Sequence, residues 1–404
     1  MPTSSAPSGV LADLPELDPN TPEFIADPQS ILGPLRARHE LARSPRGIEV
    51  LSYRLCSEIL KDPNVVLGID TLFEASGVTE GPAHEFAKHM TLNIEGAEHR
   101  RVRKAIAPAF LPERFESLRG QLRELIEDRL DQIGASNEFD FQEDFAKWVS
   151  GVAFCLFAGE SVEMADTVFD ISGRAQLWYK ADPQYRDMTI QAYDEAFRWV
   201  DELIAARRAN PGDDVLSAFL HAADAGHLSE EELRIHFVTT MTASTHTTSG
   251  QIAMSVSALA DRPDQWQLLR EDPSLVAGAA VETSRWRPGG WTIWRSAVNG
   301  TSHGGYDFPP GTIFAIDVIS ANHDPAIWEN PGQLDIRREQ PRPPLQWSIG
   351  RHFCLGRVFA LLQIEEILAA MAKRWKEFEV PPFELSGAPV EVSPETMTVR
   401  FTNA

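Results

Sequence analysis

Residues Trp347 to Gly356 read W-S-I-G-R-H-F-C-L-G, and the run that follows, Gly356 to Trp375, is apolar on most faces. Such a run is expected to form a buried helix, opened by Cys354. A helix N-terminus carries partial positive charge and free N–H groups, which lower a thiol's pKa and stabilise a thiolate. Gly350 lies four residues before the cysteine and Gly356 two after it, and both let backbone N–H groups come close to the sulfur. The loop suits a metal-bound sulfur. Taken alone, Cys354 also reads as a buried free cysteine at a helix start.

The bulk of the chain narrows the alternatives. Three widely spaced cysteines, Cys56, Cys155 and Cys354, make neither a disulfide framework nor a zinc site, and the first two are expected in the core. A net charge of -22 disfavours a nucleic-acid binder and broad docking on an anionic membrane. There is no signal-peptide pattern and no apolar stretch of about 18 residues to span a bilayer, so a cytoplasmic location is expected. The Pro- and Ser-rich start predicts a loose tail over residues 1–20, followed by one domain over 21–404.

The coarse pattern is mainly α with a small β-rich region. Helices are expected over Glu98–Ala109, Glu113–Ile133 and Phe141–Phe157, within Val162–Ala181 and Met188–Ala209, and over Pro273–Trp286. Strands are expected at Gly47–Tyr53, Trp291–Ala297 and Thr312–Ile319. Ser229 and Glu232 form a capping box that opens one helix running to Ala260, where Asp261-Arg262-Pro263 stops it. At roughly 30 residues it exceeds the mean near 11–12 and would cross the whole molecule.

The cysteine loop resembles the heme-ligand loop of the cytochrome P450 family, F-x-x-G-x-[RH]-x-C-x-G, with Trp347 where phenylalanine is usual. Other segments agree. Glu282 and Arg285, i and i+3 on one helix face, lie 72 residues before Cys354 and resemble the family's E-x-x-R helix. Arg338 resembles the arginine of its later meander, which departs slightly at Leu334 and His323. His99 and Arg103 resemble the H-x-x-x-R that grips a heme propionate, and Arg295 and His352 match its other propionate contacts. Ala243 to Thr248, A-S-T-H-T-T, resembles the oxygen-binding stretch A-G-x-[DE]-T-T, with Ser244 in place of glycine and His246 in place of the acid.

The resemblance implies the single-domain, mainly-α cytochrome P450 fold, with heme b (iron protoporphyrin IX) between the long helix and the cysteine loop. It implies Cys354 as the iron ligand, with Trp347, Gly350 and Gly356 shaping the loop. Glu282, Arg285 and Arg338 would form a buried structural cluster. Thr247, with His246 and Thr248, would serve oxygen activation and proton delivery. Thr247 could instead only back-bond its own helix, and His246 could be a satisfied histidine without a proton role. No dinucleotide-binding loop opens a βαβ unit, so electrons would come from a separate ferredoxin and ferredoxin reductase. Arg100, Arg101, Arg103 and Lys104, with Arg351 and Arg357 beside the cysteine, offer a basic docking face, or a merely solvated one.

Three functions follow: O2-dependent monooxygenation of a small, aromatic natural product; oxidative coupling of aromatic or indolic partners, such as tryptophan-containing diketopiperazines, without oxygen transfer; or a heme protein that only senses or carries a ligand. Alternation in the strand W-T-I-W-R puts Trp291 and Ile293 on the face of Arg295, above the heme, with Ala243 leaving space opposite and Trp294 facing away. Trp291 could also pack only against its neighbours, and a bulge would reverse the parity.

Overall fold

The computed structural model describes residues 10–387 and 389–403. The elements that position the site are β1 (Leu41–Ser44), β2 (Gly47–Val50), β3 (Val65–Val66), α1 (Gly96–Ile106), α2 (Lys147–Ala158), α3 (Ala165–Ala175), α4 (Arg186–Ala209), α5 (Glu230–Ser244), α6 (His246–Ala260), α7 (Val276–Trp286), β4 (Thr292–Ala297), β5 (Ile313–Asp317), α8 (Arg357–Arg374), β6 (Leu385–Ser386) and β7 (Ser393–Pro394). Helices dominate, and one five-stranded sheet of order β1-β2-β5-β4-β3 stands to the side. Only β2 and β5 pair in parallel. The helical body shares one large apolar core, and the sheet has a smaller one of its own.

Most expected helices form, with ends displaced by a few residues. The Phe141–Phe157 segment starts as a π-turn, Gln142–Ala146, before α2. The sheet strands are shorter than expected: Gly47–Tyr53 ends as a strand at Val50, and Thr312–Ile319 turns at Val318 into a short helix. Of the expected loose tail, residues 1–9 lie outside the described residues. Residues 10–20 depart from that expectation: Leu14 and Leu17 are buried, and the Leu17 N–H donates to the Arg43 carbonyl at 2.8 Å. These two leucines find apolar partners on the sheet side that Pro-rich composition does not reveal.

The long helix is where expectation and structure differ most. Its capping box forms as expected, but the helix breaks at Thr245 (φ -99°, ψ -69°) into α5 and α6. The stretch Thr239 to Ser249 is dense in hydroxyls that compete for helix carbonyls, a known source of helix bending. Thr239 donates to Ile235 O at 2.8 Å, Thr242 to Val238 O at 3.1 Å and Thr247 to Ala243 O at 2.9 Å. The break is bridged from α3: Gln176 Nε2 donates to Thr242 O and Ser172 Oγ to Met241 O.

The expected cluster of Glu282, Arg285 and Arg338 is present. Arg285 donates from Nε and a terminal nitrogen to both Glu282 oxygens at 2.8 and 2.7 Å, and Arg338 Nε adds a third bond at 2.9 Å. Gln340 and the Asp335 N–H complete the carboxylate's shell, and Arg285 also donates to the Asn322 and Pro331 carbonyls. Both Glu282 and Arg285 are 0% exposed. A buried pair of this kind stabilises little in itself, but removing one partner strands the other charge. Glu282→Ala is therefore expected to cost about 3–5 kcal/mol, read as a fall in the urea unfolding midpoint. Glu80→Ala, at an exposed position, is expected to stay within about 0.5 kcal/mol of wild type.

Candidate active site

The loop before α8 is closed by a backbone hydrogen bond from Cys354 N–H to Trp347 O, 2.8 Å. Gly350 takes φ +76°, and a Cβ there would come within 3.2 Å of the Leu60 carbonyl, so the turn requires glycine. α8 begins at Arg357, three residues past the cysteine, so Cys354 precedes the helix rather than opening it. The backbone N–H groups of Gly356 and Arg357 nevertheless lie close to the sulfur. Burial pushes the Cys354 thiol up; those two N–H groups and the charges of Arg103 and Arg357 pull against it.

Beside the loop the structure gathers His99, Arg103, Arg295 and His352, from α1, β4 and the turn before the cysteine. The His99 and His352 rings lie 4.4 Å apart. His352 Nε2 bonds Glu95 at 2.8 Å, and Arg351 Nε donates to the same carboxylate at 2.7 Å. Glu95, which no motif singled out, thus neutralises His352 and the neighbouring Arg351. The others have no carboxylate: Arg103 donates to the Phe353 carbonyl at 2.7 Å and Arg295 only to the Trp294 carbonyl, also 2.7 Å, while His99 Nε2 is buried with no partner among the described residues. Burial lowers Arg295 to about 9, with Arg351 adding repulsion, and burial lowers His99 to about 4. Desolvated cations without counter-charge are costly. This donor set fits a group bearing two carboxylates, as the two propionates of a heme would supply.

α6 packs against α8, which brings the helix break into the same region. On either side of the break Ala243 and Thr247, four residues apart on one face, are exposed, whereas Met241, Thr242, Thr245 and Thr248 are buried. His246 does not share that face. Its Nε2–H donates to the Phe169 carbonyl of α3 at 3.0 Å, and its ring lies 4.0 Å from that of Phe169. Burial holds it below the usual histidine range against the pull of that carbonyl. The Thr247 hydroxyl back-bonds Ala243, so the expected His246–Thr247 pair does not meet directly.

The β4 ladder runs without a bulge from Thr292 to Ser296, so Ile293 and Arg295 share a face and Trp294 points away, under the Arg46 guanidinium at 5.4 Å. Trp291 is the exception to the expected lining. It lies outside the ladder, is 3% exposed, and packs in a core cluster with Phe24, Met254, Ile319 and Val392. Its place as a cavity wall is corrected accordingly: strand parity holds only inside the ladder, and the chain enters β4 through a bridge to the Val390 carbonyl.

Comparison with known proteins agrees with this geometry. The family model for cytochrome P450 matches residues 73–385. The chain is 30% identical to luteothin monooxygenase of Streptomyces thioluteus, over 90% of each protein. It is 28% identical to the polyketide biosynthesis cytochrome P450 PksS of Bacillus subtilis, over 93% of each. Among solved structures, CalO2 superposes with a TM-score of 0.89 at 23% identity, covering 96% of this chain and 99% of that one. The chain belongs to the cytochrome P450 family. It is a heme-dependent oxidoreductase with the P450 fold, and the family implies small-molecule substrates and redox partners. Among the described residues no helix is long and apolar enough to cross a membrane.

The unpaired state of Arg295 makes a two-sided prediction. Arg295→Met is expected to leave the heme-free protein as stable to urea as wild type, since an uncompensated buried charge is removed. It should weaken heme binding about tenfold or more, read by heme transfer to apomyoglobin. Unchanged heme affinity would show that Arg295 serves only the fold.

Proposed function

We propose that this cytochrome P450 is a monooxygenase of a small organic natural product, carrying heme b on Cys354 and reduced in the cytoplasm by a ferredoxin and its reductase. The observation that carries the reading is the cysteine loop. Its sulfur lies close to two backbone N–H groups, and beside the loop Arg103 and Arg295 have no carboxylate partner among the described residues. A heme held there would supply the oxidation chemistry, with the Cys354 thiolate as its electron-donating ligand. The chain's own residues do the rest. Arg103, Arg295 and His99 would hold the carboxylates and so orient the ring. Ala243 and Ile293 leave room for substrate. Thr247, open at the helix break, holds a hydroxyl proton where its bond to Ala243 can be exchanged for one to a reactant. His246, fixed to α3, is a positioning residue for that break, and Thr248 packs behind it.

Relatives whose names describe oxygen insertion support monooxygenation, among them luteothin monooxygenase and the 6-deoxyerythronolide B hydroxylase of Saccharopolyspora erythraea. The aromatic-substrate and coupling readings drew added weight from a stacking wall at Trp291, which is packed elsewhere. Product mass separates the reactions: substrate plus one oxygen, against two substrates minus two hydrogens.

Replacing the cysteine tests the ligand directly: Cys354→Ser is expected to lose the thiolate-type absorption band of the ferrous–CO complex. Retention of that band would exclude Cys354. Thr247→Ala is expected to raise, severalfold, the fraction of electrons lost as peroxide, with little change in substrate affinity by spectral titration; unchanged coupling would assign the hydroxyl to helix bending alone.

The docking face is narrower than the basic run suggests. Arg101 pairs with Glu232, Arg351 with Glu95, and Arg103 is turned inward, stacked over Phe353 at 4.8 Å. Arg100, Lys104 and Arg357 remain exposed, and Phe353 is itself 50% exposed. The double variant Arg100→Glu, Lys104→Glu is expected to slow reduction by an acidic ferredoxin severalfold at low salt, with the difference shrinking as salt rises. Equal rates at low salt would place the partner elsewhere.

A further inference from the structure

A cavity of about 590 Å3 lies between α3, the π-turn before α2, the start of α6 and the β6–β7 hairpin. It is lined by His246 but by none of Ala243, Thr247 or Cys354, so the first turn of α6 separates it from the face assigned to the heme. Its walls include the aromatic rings of Trp148, Phe169 and Tyr179. This size suits a small organic ligand.

Its charges are unevenly satisfied. Lys147 is paired with Glu143, and Arg174 with Asp170 and Glu195. Glu391 is different. It sits in the turn joining β6 and β7, and its backbone is held by a bridge to Gly290 and by the neighbouring Val392 N–H bond to Gly289 O at 2.7 Å. Glu391 is half-buried and lines the cavity, and its carboxylate pairs with no cation or N–H donor among the described residues; burial pushes it up to about 7. A carboxylate on a backbone held in place, partly desolvated and without a partner, is a ready counter-ion. Tyr179, beside Glu391 in the same wall, can add cation–π attraction, which favours a weakly hydrated organic cation over a metal ion.

We propose that this cavity is a binding site for an organic ammonium ion carrying an aromatic or apolar group, with Glu391 as its counter-ion and Tyr179 and Phe169 as its aromatic walls. The site is independent of the heme reading, because it uses none of the residues assigned to the cofactor. A bound ligand would press on His246 and so on the tether between α3 and the helix break.

The test uses benzyltrimethylammonium, which has no lone pair and cannot ligate iron, titrated calorimetrically into the holoenzyme. One ion per protein is expected, with no change in the heme spectrum and no competition from saturating imidazole. Glu391→Gln, which keeps the side chain's shape, is expected to weaken binding about tenfold or more. Tyr179→Leu should weaken it severalfold, and Asp194→Asn, in a separate groove against α4, should leave it unchanged. Benzyl alcohol binding as tightly as the cation, unchanged affinity in both Glu391→Gln and Tyr179→Leu, or displacement by imidazole would each overturn the proposal. The ferrous–CO band is read in the same samples, so a failure of the thiolate assignment is seen separately.

Discussion

Much of this molecule depends on one interrupted hydrogen-bond ladder. Around Thr245 the central helix gives up regular i to i-4 bonding, and its hydroxyls and the side chains of α3 take over the carbonyls. The interruption has two consequences. It leaves Ala243 and Thr247 open on one face within an otherwise buried stretch. It also ties α3 to the break through Gln176, Ser172 and the Phe169–His246 bond. A helix with every backbone group satisfied internally would need none of these partners.

The second constraint is electrostatic. Around the cysteine loop, basic groups outnumber carboxylates inside an acidic protein. Glu95 neutralises Arg351 and His352, whereas Arg295 and His99 are left desolvated. The Glu282 cluster solves the same problem oppositely: one buried carboxylate receives bonds from Arg285, Arg338, Gln340 and a backbone N–H. Complete satisfaction there makes a rigid structural anchor. Incomplete satisfaction beside Cys354 leaves a site shaped for an external dianion, and at Glu391 the same logic with reversed sign leaves one shaped for a cation.

The sequence alone determined the features carried by local spacing. Cys354 with Gly350 and Gly356, the Glu282–Arg285 pair, His99 with Arg103, and the capping box at Ser229 each lie within one loop or helix turn, where residue order sets geometry. Mainly-α architecture was legible for the same reason. What only tertiary structure decided were relations between distant segments. Glu95 competing for His352, α3 and the residue after it bridging the break, Trp291 joining Phe24, and Glu391 sharing a cavity with Tyr179 pair residues tens to hundreds of positions apart. Their side chains carry no periodic signal. Whether a hydroxyl bends a helix, or a tryptophan faces a cavity, is set by what packs against it, and packing is a property of the folded chain.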